Sequence, residues 1–342
     1  MIIKKLVDIW KKTGTVACVM LLVCLALTLG SAITRGPYLL VNVISAGCML
    51  SLVAMGLALV FGVMNIGMFA HGEMFMIGTL VAYFVASPFQ NLLYEEHPGL
   101  MVYLAPLLAV LAAGAVGFVV GVLVELLLFR PLRKRTKGNW VMNSFLLTVG
   151  LGIILVNGHQ IIFGANYKAI TKYLPGGAVD ILGVYVSPDR LAAIIISFLV
   201  VIGFWLFMSK TRLGTAVRAV SQDETGSLMV GIDLPLIFTL TMAISCGLAA
   251  VAGATLHFMY PSYPSVGLEP TYLSWFVVIL VGLGNTTGAM IGAFMVALFK
   301  VLTVEYVGSG WDHVVPTALI MLILIFKPSG IFGSAVRSKV DQ

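Results

Sequence analysis

Charge is what this sequence is short of. Of 342 residues only 10% are charged, while 60% are hydrophobic and the mean hydropathy is +1.06. A soluble domain carries roughly 25% charged residues, so the deficit excludes a water-soluble globular fold and points to an integral membrane protein. Cysteine is also scarce. Cys18, Cys24, Cys48 and Cys246 fall inside apolar runs at unrelated spacings with no C-x-x-C, which argues against a disulfide frame or a zinc site and leaves buried thiols as the expectation. No G-x-x-x-x-G-K-S/T occurs, so the chain has no P-loop with which to bind and hydrolyse ATP. H-E-x-x-H and G-x-S-x-G are absent as well, and His71, His97, His159, His257 and His313 are scattered rather than clustered. Each histidine is expected to serve as an interhelical hydrogen bonder. No catalytic residue, metal ligand set or cofactor site is expected in this chain.

What the sequence has is long apolar runs. A bilayer core of about 30 Å needs roughly 20 apolar residues per helix, and barrel strands would be about 10 residues of strict alternation. The runs here are continuous, at 14–33, 38–63, 70–87, 101–129, 140–163, 191–209, 235–258, 271–284, 288–303 and 315–327. The last three are short, so one is expected to be re-entrant or interrupted. The fold class is therefore all-α: a polytopic transmembrane helical bundle of about 8 to 10 membrane spans, broken helices included.

Orientation follows from the basic residues. With both termini in the cytoplasm, the groups Lys4, Lys5, Lys11 and Lys12, then Arg130, Arg133, Lys134, Arg135 and Lys137, all fall inside. So do Lys210, Arg212 and Arg218, and the tail's Lys327, Arg337 and Lys339. Glu95, Glu96, Asp180, Asp189, Glu269 and Asp312 fall outside. The net charge of +6 then reflects membrane orientation, lipid is the solvent, and no nucleic-acid partner is implied. The first apolar run exceeds the roughly 7 to 15 residues of a signal-peptide core and reads as a retained anchor.

Two polar features interrupt this pattern. The stretch NIGMFAHGEMFMIG at 65–78 sets Asn65, His71 and Glu73 in apolar surroundings. An ionisable group in a span costs at least about 2.5 kcal/mol at the helix centre, so it should face a protein interior or a wet cavity. Gly62, Gly67, Gly72 and Gly78 punctuate this hairpin, and Gly282, Gly284, Gly288 and Gly292 punctuate another around VGLGNTTGAMIGAF. Such glycines permit close helix approach or helix breaks. FGVMN and VGLGN resemble each other, which suggests a parallel duplication. Asn65, His71, Glu73, Gly284 and Asn285 are the candidate transport pathway or gate. Because the first hairpin turns near the cytoplasmic face, an inner gate or helix-break anchor is expected there.

The second feature is the loop 210–234, KTRLGTAVRAVSQDETGSLMVGIDL. Val217, Val220, Leu228 and Met229 are expected to form one apolar stripe, with Arg218, Gln222, Asp223 and Glu224 as polar surface. Ser221 with Glu224 matches the S-x-x-E capping box. A basic polar face would suit a helix lying on lipid, so mixed charge favours docking to a soluble protein.

GLALVFGVMNIGMFAHGEMFMIGTLVAY, RAVSQDETGSLMVGIDL and VGLGNTTGAMIGAF, in that order across nearly the whole chain, resemble a permease subunit of the branched-chain amino acid type of ABC importer. The resemblance implies a single transmembrane permease domain over 1–342. It also implies a second related permease, two cytoplasmic ATPase subunits that bind ATP and Mg, and a periplasmic substrate-binding protein. The loop 210–234 would then be the coupling loop, with Arg218, Ser221, Gln222, Asp223, Glu224 and Gly231 engaging a groove on the ATPase. Gly226 and Ser227 stand where more helix-favouring residues are expected. The implied location is the bacterial inner membrane, and the implied activity is alternating-access import of branched-chain or other hydrophobic amino acids. Related permeases import urea, short amides or aromatic acids. An ion-coupled secondary transporter or a channel is the alternative of another class, although no ring-forming charged or carbonyl filter is visible.

Overall fold

The computed structural model describes residues 15–90, 100–136, 140–170, 172–181 and 183–332. Both termini lie outside the described residues, with Lys4, Lys5, Lys11, Lys12, Arg337 and Lys339, and so do Lys137, Glu95, Glu96 and His97. The apolar runs become helices α1 (Thr15–Arg35), α2 (Tyr38–Met64), α3 (His71–Ala86) and α4 (Leu100–Val124). Helix α4 continues through a π turn, Glu125–Phe129, into Arg130–Arg135. Next come α5 (Trp140–Phe163), a short hairpin of β1 (Val179–Ile181) and β2 (Val184–Val186), and α6 (Pro188–Lys210). Two short helices in the loop 210–234 follow, α7 (Arg212–Gln222) and α8 (Glu224–Met229). The chain closes with α9 (Leu234–Leu256), α10 (Leu268–Val281), α11 (Thr286–Tyr306) and α12 (Val314–Phe326).

Among the described residues, eight helices are long and apolar enough to cross a membrane, so the all-α polytopic bundle stands. The expected interrupted helix is α10, whose 14 residues fall short of a span. Helix α11 is longer than the run 288–303 suggested and reaches 21 residues, because Asn285 caps it early: its Oδ1 accepts from Gly288 N at 2.8 Å.

Helix α2 is the axis of the bundle. It is apolar around its whole circumference and 89% of its most apolar window is buried, against 17% for α5. A helix that is hydrophobic all round must sit in a core or in lipid, and α2 sits in the core, packed by α9, α10 and α11. Small residues permit the close contacts, as expected where packing rather than water drives helix association. A Cβ on Gly78 would collide with the backbone of Ala250, so α3 and α9 touch main chain to main chain.

One polar pair ties the bundle at the end carrying α7 and α8. Glu125 is fully buried and paired with Arg133, whose guanidinium lies 4.4 Å from the Phe238 ring centroid. Cys24, Cys48 and Cys246 are free and buried.

Candidate functional site

The predicted candidates separate when placed in space. His71 is wholly buried at the start of α3, and its Nε2 lies 3.0 Å from the Val53 carbonyl in mid-α2. A carbonyl only accepts, so Nε2 carries the proton. One turn on, Ser245 Oγ of α9 donates to the Gly56 carbonyl at 2.8 Å. Gly56 leaves room for both: a Cβ there would stand 3.2 Å from the imidazole and 2.9 Å from the Ser245 carbonyl. His71 thus joins α3 to the axis helix beside the α9 bond, and it lines neither of the two cavities described below.

Glu73, two residues on, points the other way because successive helix positions rotate by about 100°. Its carboxylate faces Gly152 of α5, and Oε2 is buried without a hydrogen-bond partner. It lines a crevice of about 710 Å³ between α5 and α10, together with Phe69, Thr148 and Trp275. Phe69 stacks on Trp275 at 4.9 Å, and the buried Trp275 Nε1 also lacks a partner.

Asn65 is exposed rather than buried and is the one non-glycine residue with positive φ among those described, 54°, where it ends α2. Asparagine tolerates that left-handed conformation. Gly284, with φ +82°, ends the broken segment between α10 and α11, and it meets Gly62: a Cβ on Gly62 would lie 2.8 Å from Gly284 Cα. The two glycine-punctuated hairpins therefore pack break against break. Asn65 and Asn285 play different parts there, one terminating a helix and the other starting one.

Composition gave no sign of the cavity at the opposite end of α2. It has a volume of about 610 Å³, with an apolar floor from Met49, Leu50, Val53, Leu273 and Val296. Two cationic and three anionic side chains line it: Arg190, Lys300, Glu269, Glu305 and Asp312. Local sequence places Arg190. Ser187 caps α6 by accepting from Arg190 N at 3.3 Å, Pro188 opens the helix, and buried Asp189 accepts from Tyr173 N and Leu174 N at 3.2 and 2.8 Å. Arg190 then reaches α2, with Nη2 2.6 Å from Asn42 Oδ1 and Nε 3.3 Å from Ser45 Oγ. Lys300 of α11 pairs with Glu269 and lies 3.9 Å from Asp312.

Glu269, Asp312 and His313 bring ligand atoms together at metal-binding separation. Lys300 already supplies counter-charge to both carboxylates, and the Tyr272 hydroxyl meets His313 at 3.0 Å. Outside the spans, burial raises the Tyr173 phenol and holds His257 down at about 4, where its Nδ1 donates to the Tyr260 carbonyl at 3.0 Å.

In the loop 210–234 the structure departs from expectation in two respects. Ser221 lies in the last turn of α7 and donates to the Arg218 carbonyl at 2.8 Å, so it caps nothing. Thr211 is the cap instead, accepting from Gly214 N at 3.0 Å. The expected stripe also splits, because the break at Asp223 rotates α8 away. Val217 and Val220 are buried, whereas Leu228, Met229 and Val230 are exposed, Met229 by 83%. Arg218, Gln222, Asp223 and Glu224 are exposed as expected. Gly231, φ +83°, ends α8 with Gly231 N bonded to Leu228 O and Ile232 N to Ser227 O, each 3.0 Å, so its left-handed conformation has a structural cause. At Gly226 a Cβ would stand 2.6 Å from Asp223 Oδ2, the end of an exposed side chain that can turn aside.

Residues 39–324 match the family described as branched-chain amino acid transport system / permease component. The high-affinity branched-chain amino acid transport system permease protein BraD of Pseudomonas aeruginosa is 31% identical over 306 residues, 88% of this chain and 97% of the relative. LivH of Escherichia coli (strain K12), of the same description, is 26% identical over 304 residues, 87% and 96% of the two chains. The probable branched-chain amino acid transport permease protein LivM of Methanocaldococcus jannaschii is 26% identical over 248 residues, 66% and 67%. No solved structure matches the chain. With its motifs, its multi-pass helical bundle and this coverage, the chain belongs to the family of branched-chain amino acid transport permeases.

Proposed function

We propose that this chain is the membrane-spanning subunit of an ATP-driven importer, carrying branched-chain or other hydrophobic amino acids from periplasm to cytoplasm by alternating access. A second related permease, a periplasmic binding protein and two cytoplasmic ATPase subunits complete the transporter, and the ATPases alone hold ATP and Mg. Similarity to both a LivH-named and a LivM-named permease fits a pair of related subunits. The chain would sit in the bacterial inner membrane with both termini cytoplasmic. Neighbours in this reading import urea, short amides or aromatic acids, and those substrates would share the architecture.

The observation that carries the reading is the loop of α7 and α8. Its inner face is anchored by buried Val217, Val220 and Ser227, and its outer face presents Leu228, Met229 and Val230 beside Arg218, Asp223 and Glu224. A compact apolar knob ringed by charge suits insertion into a groove on a soluble partner. Nucleotide-driven closure of the ATPases could then bias the bundle between states, provided the contact differs between them.

Met229→Asp tests this directly. Surface substitutions usually shift stability within about 0.5 kcal/mol, so the permease should accumulate and melt as wild type while co-purifying ATPase and ATP-dependent uptake are lost. Uptake by the lone permease in liposomes with an ion gradient and no nucleotide would instead establish an ion-coupled carrier.

A further inference from the structure

The charged cavity at the Tyr38 end of α2 holds its charges in two unlike ways. Lys300 is matched by Glu269 and Asp312, so that wall carries an excess of one negative charge. Arg190 is held by neutral oxygens only, Asn42 Oδ1 and Ser45 Oγ, and makes no ion pair among the described residues. Those two bonds use Nη2 and Nε and fix the guanidinium plane. They leave its charge unneutralised in a partly buried, largely apolar space. A planar cation of this kind favours a carboxylate, which it can bind through two parallel N–H donors.

We propose that this cavity receives a zwitterionic amino acid. Arg190 takes the α-carboxylate, the Glu269–Lys300–Asp312 wall takes the α-ammonium, and the apolar floor takes an aliphatic side chain. A volume of about 610 Å³ lies within the roughly 300–1,000 Å³ of small-molecule sites. Charges of both signs beside hydrocarbon in one lining match such a ligand in polarity as well as size. Urea or a simple amide has no carboxylate to meet Arg190. The assignment rests on the import reading above and narrows its substrate to molecules bearing both charges.

The test uses the complete transporter, purified with its partner subunits. Binding of radiolabelled L-leucine to the complex without the binding protein is competed with unlabelled leucine or with leucinamide, which keeps the ammonium and side chain but lacks the carboxylate. Wild type should prefer leucine by roughly tenfold to hundredfold, the range of a charged hydrogen bond. Arg190→Gln should lose that preference, and Arg190→Lys should keep part of it. Subunit assembly should match wild type in both variants. An undiminished preference in Arg190→Gln overturns the assignment while leaving the import reading intact. A wild-type complex that neither binds nor imports leucine overturns both.

Discussion

At one end of α2, Asn42 and Ser45 lean into a cavity that has room for a ligand. At the other, Gly62 lies so close to Gly284 that a single methyl group would not fit. The same helix thus borders space at one end and fills it at the other. Charge follows that division in part: Arg190 at the open end has no ion-pair partner among the described residues, whereas Glu125 at the closed end is paired with Arg133. Polarity in an apolar chain therefore does not mark a site by itself. What distinguishes the cavity is a cation held by neutral oxygens alone.

The largest expected effect is at the closed end. Glu125→Ala strands the guanidinium of Arg133, whose side chain is 17% exposed, and breaking a buried pair typically costs about 3–5 kcal/mol. Thermal unfolding of the purified complex should register it, and a loss below about 1 kcal/mol would mean that water reaches the pair. Next comes Gly62→Leu, an overpacking change expected to cost about 1–3 kcal/mol. Ala46→Val, which adds volume beside the cavity, should stay within about 0.5 kcal/mol. Equal costs for the two would erase the distinction between the ends.

An effect smaller than that of Glu125→Ala depends on pH. His257 is buried and its folded pKa of about 4 lies below the unfolded value of 6.5. A histidine depressed in this way stabilises fully above the unfolded value, and the contribution is lost as pH falls from 6.5 toward 4. Between pH 7 and 5 the loss should be on the order of 1–2 kcal/mol. His257→Gln should flatten that slope in melting curves recorded across the range.

Much of the architecture was legible from the chain. Apolar length located every helix of the bundle, since lipid leaves the backbone no alternative to internal hydrogen bonding. Length also marked one of the last three runs as interrupted without saying which, and the structure shows it to be α10. Which helix lies at the centre was not legible, because α2 and α5 are alike in apolar composition and differ only in their neighbours. The loop misled through a local rule: S-x-x-E at Ser221 matches a cap, but the helix containing Ser221 had already begun at Thr211 and ran through it. The hairpin of β1 and β2 lies between the apolar runs 140–163 and 191–209, outside every segment that apolar length could locate. Arg190 passed unremarked because Pro188–Asp189–Arg190 looks like any polar helix start. Only the fold brings it to Asn42 and Ser45, far away in sequence.

The π turn at Glu125–Phe129 has a consequence for the length of the chain. Arg130 N bonds back five residues to Glu125 O, so the turn carries one residue more than an α-helix would use. Removing one of Leu126, Leu127 or Leu128 would let the turn relax to α geometry with the flanking segments still in register, because the wide turn already absorbs the extra residue. Arg133 would keep its place against the Phe238 ring, and the basic segment Arg130–Arg135 would keep its direction. The same single-codon deletion in the α-helical part of α4 would instead turn every later residue of that helix by about 100°.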